Sequence, residues 1–171
     1  MFSRTGLFAL AALVFAVDRG SKILVDRYVS QWDTYVVIPH LFNIVHSKNR
    51  GAVFGILAET PAEWRTFILV GLSSLVLLFV AALLWQVSAR SSKEGRMLRV
   101  SLALVLGGAM GNIYDRLVSG MVTDFLDFYF GNYHWYTFNI ADSAISIGAG
   151  MLLLDMWRTR HRRIDSTESK A

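Results

Sequence analysis

Residues 66–89 read TFILVGLSSLVLLFVAALLWQVSA and carry no charged side chain over 24 positions. At 1.5 Å per residue, a helix of this length crosses a hydrocarbon core about 30 Å thick. The whole composition agrees, because 54% of the 171 residues are hydrophobic and only 18% are charged. A water-soluble domain carries roughly a quarter of its residues as charges. The sequence therefore predicts a polytopic α-helical membrane protein.

Three more segments have the length and the apolar character of membrane spans. The first also fits a cleavable signal peptide, because Arg4 precedes an apolar run from Gly6 to Val17. Hydrophobic residues resume at Ile23-Leu24-Val25, which favours a continuous span. We therefore predict one domain, 1–171, with four transmembrane helices at about 5–25, 66–89, 97–116 and 138–157.

Basic residues set the predicted orientation. They concentrate in the short connection 90–96 and in the tail 158–171. Because basic loops stay on the cytoplasmic side, both termini and this connection are expected in the cytoplasm. Segments 26–65 and 117–137 are then extracytoplasmic. The net charge of +4 follows from this topology, so no nucleic-acid partner is predicted.

The two outer segments are expected to be structured. Thr34–Ile38 and Leu41–Val45 resemble strands on either side of Pro39-His40, which predicts a small extracytoplasmic β-sheet. Residues 128–138 contain seven aromatic side chains in eleven positions. Such a composition is typical of a segment at the level of the lipid headgroups.

Charged residues inside spans are costly and therefore need a partner or a function. Asp18 and Lys22 lie four positions apart and can form an ion pair along one helix face. Asp115 and Arg116 are adjacent and could neutralise each other. Asp142 lies near the outer end of the last span with no basic neighbour. It is therefore the strongest candidate for chemistry.

A second carboxylate, Asp124, lies in the run 121–125, which could return over the outer ends of the helices. Two adjacent carboxylates in a poorly solvated site share one proton, so one acts as a base and the other as an acid. Such a pair can activate water against a peptide bond without a metal or cofactor. A proton or cation relay through Asp18, Asp115 and Asp142, as in a small transporter subunit, is the alternative.

Small and amide side chains accompany these acids. Asn49, Asn112 and Asn139 lie at or near the outer ends of segments, where they could cap helices or orient carboxylates. Glycines allow close contact between transmembrane helices. Those of the last two spans are Gly107, Gly108, Gly111, Gly148 and Gly150.

Five segments together resemble the bacterial lipoprotein signal peptidases, the type II signal peptidases, and they occur in that family's order over nearly the whole chain. They are Asp18-Arg19-Gly20-Ser21-Lys22, Asn49-Arg50-Gly51-Ala52-Val53-Phe54, Gly107-Gly108-Ala109-Met110-Gly111-Asn112-Ile113-Tyr114-Asp115-Arg116, Val122-Thr123-Asp124-Phe125 and Phe138-Asn139-Ile140-Ala141-Asp142-Ser143.

The resemblance implies a site and a substrate. Asp124 and Asp142 correspond to the family's catalytic aspartates. The implied substrate is a diacylglyceryl-modified prolipoprotein, cut just before its lipidated cysteine at the outer leaflet of the bacterial inner membrane. Membrane phospholipid and globomycin-type cyclic peptide inhibitors are the other implied partners. Residues in motifs that bind substrate or support the site are Asp18, Lys22, Asn49, Gly51, Gly108, Asn112, Asp115, Arg116, Asn139 and Ala141.

Three positions depart from the family's pattern. Arg19 stands where glutamine is common, Val53 where alanine is common, and Thr123 where valine is common. None of them removes a proposed catalytic group. They are expected to affect substrate fit and inhibitor sensitivity.

Overall fold

The computed structural model describes residues 3–51, 61–89 and 95–168. Val53 and most of the basic connection 90–96 lie outside the described residues. The elements in chain order are α1 (Arg4–Tyr28), β1 (Thr34–Ile38), β2 (Phe42–Asn49), α2 (Ala62–Ser88), α3 (Arg96–Ser119), β3 (Val122–Phe130), β4 (Tyr133–His134) and α4 (Ile140–Glu168).

Of the four helices in the described residues, three are long and apolar enough to cross a membrane. These segments are Glu63–Ser88, Arg96–Ser119 and Ile140–Arg160. The predicted helical membrane architecture is confirmed to that extent. Helix α1 is 25 residues long and continuous through Ile23-Leu24-Val25. Asp18, Arg19 and Lys22 interrupt its apolar character, so its place as a fourth span stays a prediction.

Helix α3 is the centre of the helical part and packs against α1, α2 and α4. Helix α2 has large apolar side chains on its outer surface, such as Phe67, Leu75 and Phe79. Exposure of this kind fits a helix face solvated by lipid rather than by water. The buried core is formed by Leu7, Ala11, Val80, Leu84, Leu102, Ala103 and Leu106.

The sheet has four antiparallel strands in the order β1-β2-β3-β4. The predicted strand runs are confirmed as β1 and β2. Strand β3, which carries Asp124, extends the sheet beyond the prediction. Backbone hydrogen bonds join Leu126 to Phe138 in both directions, at 2.8 and 3.1 Å. The residues that lead into α4 are therefore held against β3.

Gly107 of α3 has no room for a side chain beside Ala11 of α1, and the same holds for two further glycines of this helix. A Cβ atom on Gly108 would lie 2.5 Å from the backbone oxygen of Ala141 in α4. A Cβ atom on Gly111 would clash with the Asp18 carboxylate of α1. The expected close helix contact therefore occurs at all three positions. Gly150 departs from the expectation, since a Cβ there would have no neighbour within 4 Å.

This difference predicts the effect of adding one methyl group. Gly108→Ala should lower the free energy of unfolding by about 1–3 kcal/mol, because α3 and α4 must separate to admit it. Gly150→Ala is the matched control and should be neutral or slightly stabilising. Denaturation of the purified protein in detergent measures both values. Equal stability of the two variants would contradict the described packing.

Candidate active site

Asp124 lies on β3 and is buried, with 2% of its surface exposed. Its Oδ2 atom accepts a hydrogen bond from Asn49 Nδ2 at 3.0 Å. Its Oδ1 atom accepts one from Asn139 Nδ2 at 2.7 Å. Strand pairing brings Asn49 within reach, since Asn49 lies opposite Val122 in the β2–β3 ladder. Two amide donors thus fix both carboxylate oxygens.

The surroundings of Asp124 favour its protonated form. Burial is the largest cause, and the negative charge of Asp142 is the next. Hydrogen bonds from Asn49 and Asn139 act in the opposite direction. The net result raises the pKa of Asp124 to about 6. A carboxyl group with this pKa can donate a proton near neutral pH.

Asp142 lies in the first turn of α4. Its Oδ1 atom accepts from Asn112 Nδ2 at 2.7 Å, and its Oδ2 atom accepts from the Asn139 backbone N–H at 3.3 Å. The Asn139 Oδ1 atom accepts in return from the Asp142 backbone N–H at 2.9 Å. This reciprocal pair is a capping box. The positive end of the helix dipole favours negative charge at this position.

Asn139 connects the two carboxylates. Its Nδ2 atom donates to Asp124, while its Oδ1 atom and backbone N–H contact Asp142. The side chain is fully buried. Because the Asn139 side chain donates to the Asp124 carboxylate and its backbone N–H donates to the Asp142 carboxylate, the two acids lie close together at the beginning of α4. The structure thus brings together the two residues that the sequence singled out.

A buried cluster of charged residues contacts Asn112, one of the amides that hold the two acids. Lys22 Nζ lies 2.7 Å from Asp18 Oδ2, 2.8 Å from Asp115 Oδ2 and 3.0 Å from Asn112 Oδ1. Lys22 thus donates hydrogen bonds to Asp18 and Asn112 and forms an ion pair with Asp115. The predicted pair of Asp18 and Lys22 is confirmed. Since Asn112 also donates to Asp142, Lys22 fixes the amide that orients this carboxylate.

Asp18 also ties α1 to α4. Its Oδ1 atom accepts from the Ala141 backbone N–H at 2.9 Å. Ala141 is completely buried beneath the site. An acidic side chain at a helix N-terminus satisfies an otherwise unpaired N–H group and interacts favourably with the positive end of the helix dipole. Asp18 therefore positions the turn that carries Asp142.

Asp115 and Arg116 form no ion pair within the described residues, although their charges interact. Asp115 pairs with Arg19 and Lys22 of α1. Adjacent residues of a helix point in different directions, and Arg116 turns away toward Gly51. Its Nη2 atom donates to the Gly51 backbone oxygen at 3.3 Å. Its charge acts on Asp142 and also on Asp124, so a cation lies beside the two acids.

Comparison with known proteins indicates the family of the chain. A family model described as Signal peptidase (SPase) II matches residues 10–158 of the chain. The chain belongs to the signal peptidase II family. This membership supports signal peptidase II function and gives no support to the transporter alternative.

Individual relatives in the signal peptidase II family match over nearly their full length. The lipoprotein signal peptidase of Solibacter usitatus (strain Ellin6076) is 51% identical over 155 residues, 91% of this chain and 92% of that protein. The lipoprotein signal peptidase of Alteromonas mediterranea is 42% identical over 175 residues, 100% of this chain and 93% of that protein.

Two solved structures, both described as bacterial membrane enzymes studied by the in meso method, share the fold. One is 26% identical with a TM-score of 0.72 and covers 89% of this chain and 87% of its own. The other is 28% identical, also with a TM-score of 0.72, and covers 88% and 91%.

Two departures from the signal peptidase II pattern make defined contacts. Arg19 forms an ion pair with Asp115 and lies 4.7 Å from the ring centroid of Tyr114. Thr123 Oγ1 accepts from Lys48 at 2.8 Å and donates to Asp26 at 3.1 Å. Sequence reasoning missed these partners, because each comes from a distant segment.

Proposed function

We propose that this chain is an aspartic endopeptidase that removes the signal peptide from diacylglyceryl-modified prolipoproteins, cutting just before the lipidated cysteine. The observation that carries the proposal is that both carboxylates are hydrogen-bonded to the buried residue Asn139, Asp124 through the side-chain amide and Asp142 through the backbone N–H. Two carboxylates in different environments can take the roles of acid and base.

The proposed reaction uses one water molecule and no covalent intermediate. Asp142, ionised at the beginning of α4, takes a proton from water as its oxygen attacks the scissile carbonyl carbon. Asp124, in its protonated form, donates a hydrogen bond to the carbonyl oxygen. The proton that Asp142 took from water then passes to the amide nitrogen as the C–N bond breaks. The products are a signal peptide with a new carboxyl terminus and a lipidated cysteine with a free amino group.

Arg116 and the three asparagines have supporting roles in this proposal. The Arg116 guanidinium stabilises negative charge that develops on the carbonyl oxygen. Asn49, Asn112 and Asn139 hold the carboxylates so that little reorganisation is needed during the reaction. Gly51 holds the guanidinium through its backbone oxygen.

We further propose that α1 is a fourth span and that both termini are cytoplasmic, in the bacterial inner membrane. The beginning of α4 then lies near the outer leaflet, where a diacylglyceryl anchor holds the cysteine of the substrate. Lateral entry between helices keeps the acyl chains in hydrocarbon. The sheet and the aromatic segment 128–138 cover the polypeptide. Globomycin-type cyclic peptides are expected to occupy the same site.

Purified protein in proteoliposomes tests the proposed function. With a diacylglyceryl-modified precursor, we expect two products separated at the bond before the lipidated cysteine, and no proton flux across the vesicle. Mass spectrometry identifies the cleaved bond, and a pH-sensitive dye inside the vesicles reports flux. Proton flux without cleavage would contradict the proposal.

The raised pKa of Asp124 predicts the pH dependence of cleavage. Because Asp124 must be protonated in the free enzyme, kcat/KM should fall about tenfold per pH unit above pH about 6. Acidification from above this value restores the acid form and should raise kcat/KM. Initial rates at low substrate concentration measure the profile. A value of kcat/KM that rises steadily from pH about 6 to about 8 would assign the opposite role to Asp124.

A further inference from the structure

A pocket of about 360 Å³ lies outside the candidate active site. It is formed by the loop after α1, by the end of β2 and by one residue before β3. Its lining residues are Gln31, Trp32, His46, Ser47, Lys48, Arg50 and Met121. None of them contributes a group to the proposed reaction.

The pocket has a basic wall. His46, Lys48 and Arg50 occur at alternate positions along β2 and the residue that follows it. Lys48 Nζ donates to Asp26 Oδ1 at 2.7 Å. Arg50 is exposed, and its guanidinium has no polar partner within the described part of the chain. An arginine placed this way can donate two parallel hydrogen bonds to an oxyanion.

His46 lies in the same wall. Its Nδ1 atom lies 2.7 Å from the Val29 backbone oxygen, and its Nε2 atom lies 3.1 Å from Asp26 Oδ1. The imidazole therefore lies between the end of α1 and the Asp26 carboxylate. Among the described residues, Asp26 is the carboxylate that pairs with Lys48, and no carboxylate pairs with Arg50. The balance favours an anionic ligand.

The surroundings of the pocket point to lipid. Leu24 and Tyr28 are exposed on α1 at a spacing of four residues, and Trp32 follows with 92% of its surface exposed. These side chains form an apolar path from the helix to the pocket. Tryptophan and tyrosine are enriched where a membrane meets water. In the proposed orientation, a phospholipid beside α1 has its headgroup at this level.

We propose that this pocket binds the phosphate group of an anionic phospholipid of the outer leaflet. Arg50 and Lys48 contact the phosphate, and Trp32 packs against the glycerol region. The acyl chains follow the exposed face of α1. The site thereby ties the outer sheet, which carries Asn49 and Asp124, to the membrane surface.

Short-chain lipid binding tests this proposal. Dihexanoyl phosphatidylglycerol is titrated into the purified protein in a non-ionic detergent, with tryptophan fluorescence as the readout. Trp32→Phe should remove most of the signal change. Arg50→Gln should weaken binding about tenfold or more, because a charge-assisted contact is lost. Arg158→Gln, an exposed arginine on α4, is the matched control and should bind as the unaltered protein does.

Three parallel titrations identify the ligand. Dihexanoyl phosphatidylcholine should bind more weakly than the anionic lipid, and inorganic phosphate should not displace the lipid at equal concentration. Displacement by phosphate would assign the pocket to a free anion, and preferential binding of an acidic peptide would assign it to a polypeptide. Either result would overturn the proposal. So would an Arg50→Gln variant that binds the anionic lipid as tightly as the unaltered protein does. No bond is cleaved in these titrations, so their failure is distinct from failure of the peptidase proposal.

Discussion

Asp124→Asn and Asp142→Asn are each expected to lower kcat on a lipidated precursor by about 10³-fold or more. Each substitution keeps the shape of the side chain but removes the group that gives or takes a proton. At position 124 the new NH₂ group also faces a donor, because Asn49 and Asn139 both donate to this side chain. Rates must therefore be compared on folded protein, with thermal unfolding as the check.

Asp155→Asn is the control for this pair. Asp155 lies on the same helix as Asp142, about 20 Å away at 1.5 Å per residue. At this distance its side chain cannot reach Asp142, and most activity should remain. Substantial turnover by either dyad variant would refute the proposed chemistry. Loss of activity in Asp155→Asn alone would place the site toward the C-terminal end of α4 and contradict the proposal.

The second large effect concerns the lipid on the substrate. A precursor that carries the diacylglyceryl group should be cleaved, and the same polypeptide without it should give no detectable product. The acyl chains supply binding energy and hold the scissile bond at the depth of the carboxylates. Purified protein and the two matched precursors, analysed by mass spectrometry over one time course, measure this difference. Equal cleavage rates of the two precursors would show that the lipid does not contribute to the reaction.

Local sequence could predict the acids and amides of the site but not all of their partners. Asp142 stood out because a carboxylate in an apolar span without a basic neighbour is costly. The ion pair of Asp18 with Lys22 followed from helical periodicity. In contrast, the partners of Asp115 lie on α1, more than ninety positions away. A pattern within one segment cannot predict contacts between two helices, because only packing brings those helices together.

The outer sheet shows the same limit. Strands β1 and β2 were predictable because β-branched residues flank a turn. The pairing of β2 with β3 was not, although it places Asn49 beside Asp124. A second polar group in this sheet was also missed. Asp127 is buried, and it accepts from Asn43 Nδ2 at 2.9 Å.

The most direct test of the shared-proton dyad is the double variant. If Asp124 and Asp142 act as one unit, combining Asp124→Asn with Asp142→Asn should lower kcat/KM to within about tenfold of the more damaged single variant, because either loss already abolishes the mechanism. The measurement uses kcat/KM of the four folded proteins on one lipidated precursor. Losses that multiply, so that the double variant falls by the product of the two single effects, would show independent roles and contradict the dyad.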